Sequence, residues 1–201
     1  TGFKFIADLI KSKEGKQTFI GGGEESYGYL IGDFVRDKDA ITSCAILAEI
    51  AAWAKEEGTT MYGKLIEIYE QHGLYKERLL SITKQGKSGA EEIQEMIHNL
   101  RTNPPTEIDG SKVVMIKDYQ NSESINPIKN TKEAINLPKS NVLQYFTEDG
   151  TKVTARPSGT EPKIKFYFSV KAPLNNKAEF ETVNQQLENK LDNVMKSLSL
   201  I

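Results

Sequence analysis

Cysteine is almost missing from this chain: Cys44 is the single one in 201 residues. That excludes an intrachain disulfide and a cysteine-rich zinc site. Histidine is nearly as scarce. His72 and His98 have no acidic or cysteine partners in a ligand-like spacing and read as structural or solvent-facing. No Ser-His-Asp arrangement and no known metal or nucleophile motif can be assembled around them. A long apolar run and a signal-like start are also missing, so the expectation is a cytoplasmic protein with no membrane partner. Charge of one sign is lacking too. Lys plus Arg number 26 against 28 Asp plus Glu, a net charge of −2. This argues against nonspecific binding to nucleic acid or acidic membranes and leaves room for a local basic site for one small anion. What remains is 38% hydrophobic and 27% charged residues, a globular composition with enough chain for one large domain or two small ones. The first residue is Thr1 and an amphipathic stretch follows at once, so the sequence reads as a piece of something longer.

Apolar spacing predicts a helix over 3–11 through Phe3, Ile6 and Ile10, stopped near Gly15. Thr18, Phe19 and Ile20 read as a short buried strand running into the loop that starts at Gly21. From Asp39, a residue suited to capping, Ile41, Cys44, Ala45, Ala48 and Ala52 form a helical stripe closed by Gly58. A second helix is expected over 62–71 and an extended element over 74–83. Another amphipathic helix is expected over 90–101, broken by Thr102-Asn103-Pro104-Pro105-Thr106. The domain boundary is placed there. Residues 1–101 then form an α/β domain, incomplete at its N-terminal side, and residues 107–201 form an α+β domain. In the latter, 112–116 is a strand candidate and 121–140 a polar loop. Residues 142–147 and 151–156 form a hairpin about Asp149-Gly150. Residues 163–170 alternate, with Ile164, Phe166, Phe168 and Val170 facing one way and Lys163, Lys165 and Tyr167 the other. A last helix is expected over 176–198.

Two segments carry candidate chemistry. Gly21-Gly22-Gly23-Glu24-Glu25-Ser26-Tyr27-Gly28 lets the backbone turn sharply and approach a ligand closely. Glu24 and Ser26 would then meet neighbouring hydroxyls of a sugar. A strand-to-helix turn with merely solvated charges accounts for the same pattern. The spacing is not a dinucleotide fingerprint. The second segment is Arg156-Pro157-Ser158-Gly159-Thr160-Glu161-Pro162-Lys163. It offers a guanidinium, two hydroxyls and a glycine whose backbone N–H groups suit an anion, between two stiffening prolines. Lys165 adds positive charge on the same strand face as Lys163. An ordinary turn punctuated by Pro and Gly is the alternative. Arg36-Asp37-Lys38-Asp39 reads as a charge cluster at a helix entry, from which Lys38 would lean toward the first loop's ligand. Its two carboxylates are too few for an oxygen cage around a metal.

With Thr1-Gly2-Phe3-Lys4 ahead of them, these motifs occur in an order that resembles the C-terminal part of the α-D-phosphohexomutases, the phosphoglucomutase and phosphomannomutase family. The resemblance covers nearly the whole chain: most of the family's third domain and all of its fourth. It implies a partial α/β domain, then an α+β domain with a four-stranded antiparallel sheet and helices on one face, similar to the TATA-box-binding protein. That likeness is one of fold and implies no nucleic-acid binding. It also implies interconversion of hexose 1-phosphate and 6-phosphate through a phosphoserine and a bisphosphate such as glucose 1,6-bisphosphate, with Mg²⁺.

The serine motif and the aspartate-rich Mg²⁺ loop are missing from this sequence, so no catalytic or metal residue is assigned to it, and the piece alone is expected to be inactive. The partners implied are a hexose phosphate and the preceding domains of the same chain. Carried over by position, Glu24 and Ser26 would bond the sugar's O3 and O4, and Lys38 would lie near the phosphate or ring. Arg156, Ser158, Gly159 and Thr160 would hold the phosphate that is not transferred, with Lys165 assisting and Lys4 a weaker candidate. Ala40, where relatives often have Gly, and Tyr27 leave the sugar preference open. A stand-alone sugar-phosphate-binding module without catalysis is the competing reading.

Overall fold

A computed structural model describes residues 2–24 and 27–201. The chain divides into two compact units, Thr1–Ile66 and Glu67–Ile201.

The first unit contains α1 (Lys4–Lys13), β1 (Gly21–Gly23), β2 (Tyr29–Ile31) and α2 (Ala40–Glu56), followed by the start of α3 (Met61–His72). Its core is small: Phe3, Ile10 and Leu30 are buried, with Ile6 and Phe19 packed against them. β1 and β2 pair antiparallel, Gly21 opposite Ile31 and Gly23 opposite Tyr29. The strand therefore starts at Gly21, one step beyond the expected Thr18–Ile20 run, and Ile20 is exposed. The glycines themselves pair with Tyr29–Ile31, so the run expected to form the loop supplies strand backbone instead. Asp39 caps α2 as expected, its carboxylate accepting from Ile41 N–H at 2.9 Å and from the Thr42 hydroxyl at 2.9 Å. The apolar stripe is not buried in this unit. Ile41 is 82% exposed, Leu47 and Trp53 are exposed, and only Ala54 is fully covered. α2 is apolar around most of its circumference, so spacing alone did not single out one inward face.

The second unit follows from α3 with β3 (Leu74–Thr83), α4 (Gly86–Thr102), β4 (Glu107–Ile108), β5 (Ser111–Asp118), β6 (Glu123–Asn126), β7 (Thr131–Ala134), β8 (Leu143–Thr147), β9 (Lys152–Pro157), β10 (Lys163–Ala172) and α5 (Phe180–Ser197). The sheet is antiparallel, in the order β3-β10-β9-β8-β5-β6-β7, with β4 added beside β5 for eight strands in all. This exceeds the four expected, for two reasons besides the two-residue β4. The polar segment read as a loop over 121–140 folds as the β6-β7 hairpin, Glu123 opposite Ala134 and Asn126 opposite Thr131. Neither strand has the apolar alternation that would have marked it, and β7 is exposed at every position. The second reason is β3, which pairs along its whole length with β10, from Leu74 opposite Ala172 to Thr83 opposite Lys163. By sequence β3 and α4 fall within residues 1–101; by contacts they belong to the second compact unit, Glu67–Ile201.

Both helices cover the same face of this sheet. Tyr145, Val153, Phe168 and Arg78 lie in one cross-strand row. At one end the Tyr145 hydroxyl donates to Leu100 O of α4 at 2.9 Å. At the other, the Arg78 guanidinium pairs with Glu188 and Asp192 of α5. Burial raises the Tyr145 phenol far above its ordinary value. Ile164, Phe166, Phe168 and Val170 are buried beneath the helices together with Ile93, Ile97, Leu187 and Leu191. A bulge in β5 between Val113 and Met115 resets the alternation, so Val113, Ile116 and Asp118 all face inward.

Two polar anchors hold this layer. Arg101 donates from Nε to Asp118 at 3.1 Å and from a terminal nitrogen to Asn141 at 2.8 Å, while Asp118 also accepts from Asn121 at 2.6 Å and from Gln120 N–H at 3.0 Å. The Asp118 side chain is only 7% exposed. At the β8-β9 turn, Gly150 adopts φ +85°. There Asp149 accepts from Lys190 of α5 at 2.5 Å, from the Thr147 hydroxyl at 2.5 Å and from Thr151 N–H at 3.0 Å. Burial raises the Asp149 carboxyl, but these donors outweigh it and hold the group well below the usual carboxylate range.

Arg101→Met leaves the Asp118 carboxylate buried without its cation, and is expected to lower the unfolding free energy by about 3 kcal/mol in urea titration. Exchanging both partners for apolar residues, Arg101→Met with Asp118→Leu, is expected to recover much of that loss. Asp149→Asn tests the turn. Because the folded carboxyl is depressed, its contribution is complete at neutral pH and is lost as pH falls below the unfolded value of about 4. With the pair partly open to solvent, the variant is expected to be less stable by about 1 kcal/mol at pH 7. The gap should narrow as urea titrations move toward pH 3; an equal gap at both pH values contradicts the assignment.

Candidate functional site

The acidic loop of the first unit is closed by backbone bonds. Glu24 N–H donates to Gly28 O at 2.9 Å, at the end of the β1-β2 pairing, and Gly32 N–H donates to Ile20 O at 3.0 Å. Tyr27, 88% exposed, has φ +65°, a left-handed conformation that costs a residue with a Cβ about 1 kcal/mol. After β2 the chain folds back, and Asp39 N–H donates to Tyr29 O at 2.8 Å. This return brings Lys38 Nζ to 3.8 Å from Glu24 Oε1 and 3.5 Å from Asp37 Oδ1. The Lys38 side chain is 50% exposed and that of Glu24 16%. Two of the three sugar-site residues chosen from sequence therefore meet. The third, Ser26, lies outside the described residues. Of the neighbouring charges, Arg36 is turned to Glu14 at 3.0 Å and Asp39 is engaged as the cap of α2, which leaves Lys38 as the cation at the loop. Lys4 lies on α1 with its ammonium 5.3 Å from the centroid of the Phe5 ring.

In the second unit the cationic segment spans the end of β9, a turn and the start of β10. Arg156 is directly opposite Lys165, and Lys165 is opposite Ser81 of β3. These three side chains share the sheet face that the helices leave open, because their neighbours Ala155, Ile164 and Phe166 are the buried ones. Among the described residues neither Arg156 nor Lys165 is paired with a carboxylate. Ser158 N–H donates to Lys163 O at 2.7 Å, Thr160 N–H donates to the Ser158 hydroxyl at 3.4 Å, and Lys163 N–H donates to Glu161 O at 2.8 Å. Gly159 lies outside the left-handed region, and a Cβ there would meet nothing within 4 Å. Among the described residues no contact requires a glycine at this position.

Two positions near this segment were not legible. Ser81 arrives from β3, whose pairing with β10 sequence spacing does not reveal. Lys84, at the end of the same strand, is pinned to the base of the turn by its N–H donating to Pro162 O at 2.9 Å, and its ammonium is taken by Glu92 at 3.0 Å. A separate open groove of about 490 Å³ runs along α4 between Lys84 and Asn103. None of the residues selected from sequence lines it. Among the described residues no group of three or more His, Cys, Asp or Glu side chains is placed to hold a metal ion, and no helix is long and apolar enough to cross a membrane.

Residues 1–72 match the family model described as phosphoglucomutase/phosphomannomutase, alpha/beta/alpha domain III. The similarity extends well past that stretch. A phosphoglucomutase of Staphylococcus haemolyticus strain JCSC1435 is 39% identical over 188 residues, which is 94% of this chain and 33% of the relative. A phosphoglucomutase of Staphylococcus aureus strain MRSA252 is 41% identical over 187 residues, 93% of this chain and 33% of its own length. The chain is similar to one part of the proteins of the phosphoglucomutase/phosphomannomutase family.

It spans about a third of the length of the phosphoglucomutases it matches. Their fold extends to solved structures. The open form of the exocytosis-sensitive phosphoprotein pp63/parafusin, a phosphoglucomutase from Paramecium, superposes with a TM-score of 0.62 at 18% identity, over 100% of this chain and 33% of that one. This chain thus combines a domain III-like unit with an antiparallel sheet and helices, a fold it shares with that solved structure.

Proposed function

We propose that this chain supplies the sugar- and phosphate-recognition part of a phosphohexomutase, an intramolecular phosphotransferase interconverting hexose 1-phosphate and hexose 6-phosphate. The observation that carries the reading is the cross-strand pair Arg156 and Lys165, on the uncovered sheet face and without a carboxylate partner among the described residues. Two cations side by side without an acid repel one another and are stabilised by an anion between them. A phosphate with two negative charges suits them, with Arg156 forking onto two of its oxygens. Ser158 and Thr160 offer hydroxyls in the adjoining turn, and the open space at Gly159 admits close approach of a ligand.

In the same reading Glu24, Ser26 and Lys38 receive the sugar. A carboxylate and a hydroxyl bonded to O3 and O4 recognise atoms common to glucose and mannose, which differ at C2. They would also accept the bisphosphate intermediate in either orientation, as the transfer of a phosphoryl group from one end of the hexose to the other requires. Among the described residues no acidic cluster is placed for Mg²⁺, and in this reading the phosphoserine and Mg²⁺ belong to the preceding domains with which this chain would act. No transfer step is assigned to its own side chains. Their contribution is orientation: they hold the hexose and the phosphate that stays in place while the other end reacts.

The test is isothermal titration of the full-length protein with glucose 1-phosphate. Arg156→Ala is expected to weaken binding at least tenfold, about the value of one charge-assisted hydrogen bond. An unchanged affinity removes Arg156 from the phosphate site and the reading with it.

A further inference from the structure

Gly28 lies outside the left-handed region, so its backbone dihedral admits any residue. What excludes a side chain there is contact. A Cβ on Gly28 would stand 2.6 Å from Lys38 Cδ, 2.7 Å from Glu24 Oε1 and 3.1 Å from Glu24 Cγ. The aliphatic stem of Lys38 and the carboxylate of Glu24 therefore meet over this bare Cα, and from that seat the Lys38 ammonium reaches to 3.8 Å from Glu24. The position is fixed from both sides: Gly28 O accepts from Glu24 N–H, and the next residue, Tyr29, accepts from Asp39 N–H beside Lys38. A shift of the whole loop that would make room for a methyl group is thus opposed by the backbone. The atoms that must yield are those of the two side chains. Lys38 is half exposed and can swing into solvent, so the fold tolerates the change while the arrangement of the two groups does not.

Building on the sugar-site reading above, we propose that Gly28 is a positioning residue of that site: its missing side chain lets Lys38 and Glu24 converge, so that ammonium and carboxylate are presented to a hexose phosphate as one preset pair. Preset groups lose less freedom when the ligand arrives. A carboxylate held beside a cation keeps acceptor capacity free for sugar hydroxyls, and the ammonium keeps donors free for ring or phosphate oxygens. Gly28 acts through its neighbours and touches neither ligand nor reacting atoms in this assignment.

The experiment is a double-mutant cycle in the full-length protein with glucose 1-phosphate as the probe. Gly28→Ala is expected to raise KM at least about tenfold with kcat changed less than about threefold, and to leave the urea midpoint in place. Lys38→Ala removes the stem that the added methyl group would displace. In that background only the contact with Glu24 remains, and Gly28→Ala is expected to cost less than it does in the wild type. Additive losses in the Lys38→Ala background, or an unchanged KM in Gly28→Ala, overturn the proposal. If Gly28→Ala alone fails to fold, recovery of the fold by Lys38→Ala supports it, and failure to recover overturns it. A crystal structure of Gly28→Ala reads the geometry without turnover. Lys38 Nζ is expected to lie well past the roughly 4 Å reach of an ion pair with Glu24, and an unmoved pair refutes the role. A wild-type protein that turns over neither glucose 1-phosphate nor mannose 1-phosphate refutes the mutase reading instead, and the crystal structure still decides the place of Gly28.

Discussion

β10 carries more of this molecule than any other element. It is hydrogen-bonded on both edges, to β3 along ten residue pairs from Leu74–Ala172 to Thr83–Lys163 and to β9 from Ile164 to Ser169. Because side chains alternate along a strand, one face of β10 supplies Ile164, Phe166, Phe168 and Val170 to the core under α4 and α5. The other face must then carry Lys165 outward, opposite Arg156 and Ser81. The burial that holds the sheet to its helices is thus also what aims the cations. Slipping β10 by one residue would bury the lysines and expose the phenylalanines, so the register of the candidate phosphate site is enforced by the hydrophobic core.

Much of this was written in local sequence. The alternation over 163–170, the Asp149-Gly150 turn, the Asp39 cap and the amphipathic periods of α4 and α5 each rest on interactions within a few residues of one another, and local chemistry reports them well. The failures share the opposite character. That β3 belongs with β10 is a pairing across about eighty residues of chain, and nothing in Leu74–Thr83 names its partner. The Pro104-Pro105 break does end a helix, as proline chemistry requires, but the end of a helix is not the end of a compact unit. Val113 and Ile116 face the same way only because of the bulge between them, which the sequence does not mark. The β6-β7 hairpin has no fully buried position, β6 being half-buried throughout and β7 exposed, and so left no apolar alternation to read.

The candidate site divides along the same line. Glu24 and Lys38 were selected by motif, and their meeting depends on the backbone return at Tyr29 and Asp39. Ser81 became visible only once β3 was in place. Gly28 was read as one more flexible residue of a glycine-rich loop. The structure gives it a different reason: its dihedral is ordinary, and the space above it is taken by two other residues. A glycine required by crowding and a glycine required by conformation look the same in a sequence.

The sheet ends at β7, whose four residues, Thr131–Ala134, are all exposed and include Lys132, paired at 3.1 Å with Glu123, and Glu133. An open strand edge is a template on which other chains can stack and aggregate. Here any incoming strand would have to lie alongside a short ribbon bristling with charge and lacking a greasy side. The terminal hairpin thereby blunts this edge of the sheet against association between molecules, while β3 forms the other edge.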